Sequence, residues 1–422
     1  MATRLEVKRV EDIIVRQQGT MSQEVHDTAR EIVEEVRNRG EAAILRYRER
    51  FENVPSTDPL YISQNDLHAA LDALNIEDRE RLIRITDRIT AFATSQREAL
   101  KDLRVSTPSG EAGHTVSPLD TAGCYAPGGR YPLPSSVLMT CGTAKAAGVS
   151  QVWVSSPTPN ALTLAAAAVA GADGVIATGG AHAIAAMAFG SGPMPAAQIV
   201  VGPGNVYVTA AKQYIAGEVS IDMLAGPSEL VVVADATADS SLVTADLLAQ
   251  AEHDVHAFPI LVTTDASIIE RVNHELENQL KDLPTAKVAE AALENGGAIL
   301  CADFDEVVKT CDTLAPEHLQ LSIAEPESVW ERFANYGAIF LGEPSAEVLG
   351  DYGFGPNHAL PTGGQSKKRG GLSVFDFLRV RTWMKVESLS DDPTLADDVS
   401  WMAKQEGLVG HERAIQLRRT RP

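Results

Sequence analysis

The 422-residue sequence lacks several things whose absence narrows its function. No run of about 18 apolar residues occurs, so no transmembrane helix is expected. The stretch Met1 to Arg16 is charged throughout and has no apolar core, so no secretory signal is expected and the protein is placed in the cytoplasm. Cysteine is scarce: Cys124, Cys141, Cys301 and Cys311 form no Cys-x-x-Cys pair. They fit buried thiols in a reducing compartment rather than disulfides or a thiolate zinc site. Cys124, beside a Gly-rich loop, is the one with a case for reactivity. Basic charge is in deficit, with a net charge of -21. That speaks against nucleic acid and anionic membranes as partners, since both would repel the chain.

What is present is an ordered series of α/β signals. Residues 23 to 51 read as a charged amphipathic helix, with Val25, Ala29, Ile32, Val33 and Val36 on one face. A second long helix is expected from Asn75 to Leu103. From about residue 117 the composition turns to Gly, Ala, Val and Pro. Short apolar strands then alternate with Ala-rich helices. The strands are placed at 152–155, 174–177, 198–201 and 230–234, the helices at 134–147, 159–169, 180–189 and 205–214. A second run follows, with strands at 230–234, 258–263, 297–301 and 337–341 and helices at 239–253, 266–279 and 303–313. This alternation predicts βαβ units on mostly parallel sheets, in two successive α/β halves. From Leu372 onward the pattern reads as helical again.

The centre of the chain is Gly202-Pro203-Gly204-Asn205, after the apolar run Ala197 to Val201. Two glycines let backbone approach a ligand, and a helix starting at Asn205 offers free N–H groups to an anion. The third glycine of a dinucleotide fingerprint is missing, so the motif alone fits a plain tight turn as well. Gln250-Ala251-Glu252-His253 ends a helical pattern. Its Gln250 and His253 share a face and either present lone pairs to a metal or simply leave a histidine at the helix's negative end. Ala315-Pro316-Glu317-His318 reads as a loop entering a strand and offers two proton acceptors of different basicity. The loop Gly350 to Thr362 carries Asp351 and His358 among three glycines, as ligands or as turn formers. Glu406-Gly407-Leu408-Val409-Gly410-His411 holds an acid and a histidine at a glycine-broken helix start, where both could also be caps.

Taken in order, these motifs resemble the histidinol dehydrogenase family along nearly the whole chain. The resemblance rests on Tyr125-Ala126-Pro127-Gly128-Gly129, Gly202-Pro203-Gly204-Asn205, Ala225-Gly226-Pro227-Ser228-Glu229, Gln250 to His253, Pro316-Glu317-His318, Asn357-His358-Ala359-Leu360-Pro361-Thr362 and Glu406 to His411. It implies an α/β protein with two incomplete, related Rossmann-like domains, a helical N-terminal region and a C-terminal helical tail. The implied division is an arm over 1–22, a first domain over 23–120 plus 233–371 with the metal and catalytic loops, an NAD-binding domain over 121–232, and a tail over 372–422 packed on a partner subunit. The implied activity is a four-electron oxidation of L-histidinol through the aldehyde to L-histidine, with NAD and one zinc per subunit in a homodimer with shared active sites. Zinc would be held by Gln250, His253, Asp351 and His411. His318 would be the base and Glu317 would activate water. The substrate would be held by Ser228 and Glu406 together with Gln250, His253, His318, Asp351 and His411. Tyr125, Asn205 and the position of His182 would line the NAD site.

Three places depart from the family pattern. His182 stands where a glutamine is usual, Gly355-Pro356-Asn357-His358 replaces a Gly-Thr-Asn-His type of string, and Gln365 to Gly371 adds Lys367, Lys368 and Arg369. Two alternatives follow: a zinc and NAD alcohol dehydrogenase of the same family acting on another small alcohol such as a sulfonated diol, or a binding protein without catalysis. Retention of Glu317, His318 and all four implied ligands speaks against the second.

Overall fold

The computed structural model describes residues 4–17, 21–128 and 132–419. Gly129 and the outer ends of the N-terminal arm and the tail lie outside them. The chain forms two compact units: the first runs to Gln96 and resumes over Leu119–Phe377, and the second comprises Arg97–Pro118 and the chain from Leu378 on. Among the described residues no helix is long and apolar enough to cross a membrane. All four cysteines are free and buried. Burial pushes the Cys124 thiol up to about 12, so the case for its reactivity fails.

The first unit contains two sheets. One has the spatial order Tyr61–Ser63, Gly174–Ile176, Gln151–Ser155, Thr121–Tyr125, Ile199–Val201, Ser220–Ile221, parallel except at Tyr61–Ser63. The other is fully parallel in the order Gly297–Leu300, Phe258–Thr263, Glu229–Ala234, His318–Ser322, Ala338–Leu341. Numbered along the chain, the parallel strands of each sheet run third, second, first, fourth, fifth. The strands Glu229–Ala234 and Phe258–Thr263 are buried along their whole length. Between Glu229 and Thr263 at their outer ends both are apolar, since a parallel sheet covered on both faces needs no polar alternation.

The helices Pro134–Ala147, Gly180–Phe189 and Ala266–Gln279 fall where the sequence places them. Others do not. The helix expected over 23–51 is two, Gln23–Arg39 and Glu41–Glu52, because Gly40 takes φ 54°, a left-handed turn that ends the first. The chain after Leu372 is not helical at first. Leu378–Val386 is a strand, paired antiparallel with Gly110–Pro118, which also pairs with Leu103–Thr107. Arg379, Arg381 and Lys385 alternate with Val380, Met384 and Val386, a period of two characteristic of a strand. The helices Leu395–Gln405 and Val409–Arg419 follow, separated at Gly407 with φ 73°. The central strand Thr121–Tyr125 escapes a propensity reading because Ala122 and Gly123 interrupt its apolar pattern. Its Gly123 is needed for close packing, since a Cβ there would meet Met187 Sδ at 2.8 Å.

The Gly202 turn is held by a buried ion pair. Lys212 and Asp222 are in contact, 2% and 1% exposed. Lys212 Nζ also donates to Gly202 O at 2.9 Å, while Asp222 Oδ2 accepts the Gly202 N–H at 2.7 Å. Gly202 has φ 114°, and a Cβ there would lie 2.0 Å from Tyr125 O. We therefore expect Gly202→Ala to destabilise the fold by on the order of 3 kcal/mol, from left-handed strain and a backbone clash. Lys212→Met should cost about 3–5 kcal/mol by stranding the Asp222 charge, and Lys212→Met with Asp222→Asn together should cost less. Denaturant unfolding of the variants checks both; a Lys212→Met midpoint equal to that of the parent chain would refute the clamp.

Candidate active site

One crevice follows from the sheet orders. In the first sheet the order reverses between Thr121–Tyr125 and Ile199–Val201, so Tyr125 and the Gly202-to-Asn205 turn flank the carboxyl ends of the switch point, where open parallel sheets bind ligands. Tyr125 is buried and its hydroxyl accepts the Gly180 N–H at 3.1 Å. Asn205 caps the helix Val206–Ile215, and its Oδ1 accepts the N–H groups of Tyr207 and Val208 at 3.0 and 3.1 Å. Those donors are therefore not free for an anion, contrary to the sequence expectation. His182 is buried, with Nε2 2.9 Å from Thr178 Oγ1 and 3.1 Å from Glu52 Oε1. Glu52 also accepts the Gly179 N–H at 3.0 Å, so the His182–Glu52 pair pins the start of the helix Gly180–Phe189.

In the second sheet the groups collect at the amino ends of the central strands. Pairing of Glu229–Ala234 with His318–Ser322 makes the Glu229 main chain a hub. Its N–H donates to Glu317 Oε2 at 3.0 Å, and its carbonyl lies 3.0 Å from His318 Nδ1. A carbonyl can only accept, so Nδ1 carries the proton and Nε2 presents a lone pair. Burial lowers the His318 pKa to about 4, so the ring is neutral near pH 7 and competent as a base. Burial pushes Glu317 up, as do the charges of Glu229 and Asp351, against hydrogen bonds from the Glu229 N–H and the Ser228 hydroxyl. The Glu229 side chain, itself pushed up to about 8 by burial, accepts the Gly363 N–H at 2.8 Å and ties the glycine-rich loop to this strand.

Around this pair lie the metal candidates. The helix Ser240–Ala251 ends before His253, which sits in the following turn rather than on a helix face shared with Gln250. His253 Nε2 is nonetheless 3.7 Å from Asp351 Oδ2, and donor atoms of His253, Asp351 and Glu347 all lie within 4.8 Å of one another. Gln250 is fully buried and neither its Oε1 nor its Nε2 has a partner; His318 Nε2 and both Glu347 oxygens are equally unpartnered. Buried polar atoms are normally satisfied, and a set of orphaned N and O donors fits a divalent cation such as zinc. Burial works against charge on Asp351, but a hydrogen bond from His358 and the neighbouring histidines hold its pKa below the usual carboxylate value. A cavity of about 360 Å³ opens beside His318, lined also by Phe340, Leu349, Phe354 and His358.

The structure brings Ser228, His253, Glu317, His318 and Asp351 near one another and leaves Gln250 at the end of the helix before His253; Glu347, which sequence reasoning did not single out, lies beside them. Its spacing of four before Asp351 on a short helical turn is the signal that could have found it. Glu406 and His411 lie in the second unit, both exposed, on either side of the Gly407 turn. Of the added basic residues, Lys367 donates to Thr313 O at 2.8 Å and Arg369 pairs with Asp376 at 2.6 Å, so both are committed within the fold.

Comparison with known proteins agrees with this arrangement. The profile of the family described as histidinol dehydrogenase matches residues 15–419. The chain is 43% identical over 398 residues to the histidinol dehydrogenase of Thermus thermophilus, covering 94% of this chain and 95% of that one. It is 38% identical over 415 residues to that of Pseudomonas aeruginosa, covering 96% and 94%. The crystal structure of histidinol dehydrogenase from Elizabethkingia anophelis superposes with a TM-score of 0.89 at 31% identity, over 98% of each chain. With the family's motifs gathered on one fold and matched from end to end, this chain belongs to the histidinol dehydrogenase family.

Proposed function

We propose that the chain oxidises L-histidinol through its aldehyde to L-histidine, in histidine biosynthesis, as a cytoplasmic homodimer using NAD and one zinc per subunit. Gln250, His253 and Asp351, with the partner subunit's His411, would hold the zinc. The observation that carries this reading is the approach of His253 to Asp351 beside the unpartnered Nε2 of a neutral His318, with the unpartnered Gln250 amide buried at the end of the helix that precedes His253. Tyr125 and Asn205 at the switch point support a dinucleotide site there, and His182 would act behind it by fixing the Gly179 turn. The shared strand order supports reading the two sheets as related Rossmann-like halves, divided as the resemblance implies.

When bound, zinc supplies a Lewis acid for the alcohol oxygen and NAD the acceptor for each hydride. The protein's own part is proton handling and positioning. His318 Nε2 takes the alcohol proton, with Nδ1–H anchored on the Glu229 carbonyl so that the ring cannot turn. Water must add to the aldehyde before the second oxidation, and Glu317, steadied by Ser228 and the Glu229 N–H, takes that water's proton. Ser228 and the partner subunit's Glu406 would hold the imidazole end of the substrate. Lys367 and Arg369 are bound within the fold, so neither supports a sulfonated substrate.

NADH formation from L-histidinol tests the reading, and no NADH from it while another small alcohol is oxidised would replace it with the other family activity. His318→Asn should slow alcohol oxidation by about 10²- to 10⁴-fold. Glu317→Gln should spare the first hydride and slow oxidation of supplied aldehyde; single-turnover kinetics with each substrate reads both, and equal small effects would remove the pair from the mechanism. His253→Ala should abolish tightly bound zinc in elemental analysis while leaving the thermal unfolding of the protein near normal. Sharing of the site predicts complementation: mixing inactive His411→Ala and inactive His253→Ala proteins under subunit exchange should restore activity, because each mixed dimer holds one intact site. A mixture that stays inactive despite proven exchange would exclude sharing.

A further inference from the structure

The segment that carries Asp351 and His358 has little regular structure of its own. After the short helix Val348–Asp351 it runs through Gly353 and Gly355, at φ 98° and 143°, without helix or strand as far as His358. Yet its two ends meet: Asp351 Oδ1 lies 3.5 Å from His358 Nδ1, and Asp351 Oδ2 faces His253. Something other than local secondary structure must hold that geometry.

Two anchors lie between those ends, one on each of two helices. The first is Arg88, in the helix Ile76–Ala99, whose Nε donates to Gly353 O at 2.6 Å. Ile85, Arg88 and Phe92 stand at i, i+3 and i+7 and form one stripe of that helix. The loop lies directly on the stripe: a Cβ on Gly353 would come 2.6 Å from Ile85 Cγ2, and one on Gly355 would come 3.3 Å from Phe92 Cβ. The second is Asn357. Its Nδ2 donates to Met139 O at 2.9 Å and to Thr143 Oγ1 at 3.0 Å, both in the helix Pro134–Ala147, and its Oδ1 accepts the Ala359 N–H at 2.9 Å. The two helices lie close at Gly142, where a Cβ would meet Thr90 Cγ2 at 3.5 Å, so the anchors share one base. Neither anchor touches a candidate ligand atom. Both fix main chain, two residues after Asp351 and one before His358. A loop held in this way has little freedom to lose when a cation arrives, whereas a loose one has to be ordered on binding, at a cost in affinity.

Resting on the zinc part of the proposed function, we propose that Arg88 and Asn357 are positioning residues that preform the cation site by strapping the Asp351–His358 loop to the helices Ile76–Ala99 and Pro134–Ala147. The test compares zinc affinity with fold stability. The native protein, Arg88→Met, Arg88→Lys and Asn357→Ala are stripped of metal. Zinc binding to each is measured by competition with a chelating dye, and the thermal midpoint of each stripped protein is measured alongside. The proposal expects the Kd for zinc to rise about 10- to 100-fold in Arg88→Met and in Asn357→Ala, the usual effect of losing a group that orients metal ligands from behind. Arg88→Lys, which can still donate to the Gly353 carbonyl, should recover most of the loss. A folded Arg88→Met or Asn357→Ala that binds zinc as tightly as the native protein overturns the proposal, even with a lowered midpoint, because the anchor would then be merely structural. Arg88→Lys no better than Arg88→Met overturns it too, since the bond to Gly353 would not be the cause. Should Asn357→Ala fail to fold, the two Arg88 variants, at an exposed helix position, decide the matter alone. Failure of the native protein to bind zinc would instead remove the zinc reading on which the proposal stands.

Discussion

The site depends on the pairing of one pair of parallel strands. Glu229 and the Glu317–His318 pair lie 88 and 89 positions apart, yet the ladder between their strands brings one residue's N–H to a carboxylate and its carbonyl to an imidazole. Because both anchors are main-chain groups, only the rotamers of Glu317 and His318 themselves have to be ordered. A slip of one residue would turn every side chain of the strand to the other face and destroy both bonds at once. Catalytic geometry and sheet register are therefore the same constraint, and the buried apolar strands around them make that register costly to change.

The two sheets share one strand order but use opposite ends. In the first sheet the candidate cofactor residues stand at the carboxyl ends, where the Lys212–Asp222 pair closes the Gly202 turn from both sides. In the second, His318 and Glu229 stand at the amino ends, joined by Gln250 because the helix Ser240–Ala251 runs back from the carboxyl ends and finishes there. The short link from Asp222 to Ser228 leads from the one end to the other. Two reactive edges in one compact unit suit a reaction in which a hydride passes between a cofactor and a substrate.

Burial is the second theme of the site. Gln250, Glu317, His318 and Glu347 are all nearly inaccessible and several carry unpartnered atoms. Such a cluster is unfavourable in an ordinary core and is retained where a bound group completes it. The same burial keeps His318 neutral near pH 7 and so available as a base. Stability and reactivity are opposed here, and the surrounding fully buried sheet supplies the rigidity that tolerates the opposition.

Much of this was legible in the sequence. Apolar runs such as Phe258–Thr263 and Ala-rich segments such as Pro134–Ala147 announce buried strands and helices through composition alone, because burial on both sides leaves no choice of residue type. The ordered motifs identified the family. What escaped depends on neighbours distant in sequence. Thr121–Tyr125 is a central strand because it is flanked by strands on both sides, and its Ala122-Gly123 core shows no strand preference. Leu378–Val386 is a strand because Gly110–Pro118 is there to pair with it. His182 and Glu52, 130 positions apart, meet only in the fold, where Glu52, just past the helix expected over 23–51, becomes a largely buried anchor. Glu347 needed the turn that sets it beside His318. Sequence by itself determined which segments must be buried and which chemistry is carried; only the tertiary structure decided which acceptors face one another, because that is fixed by strand register and by contacts that no local pattern encodes.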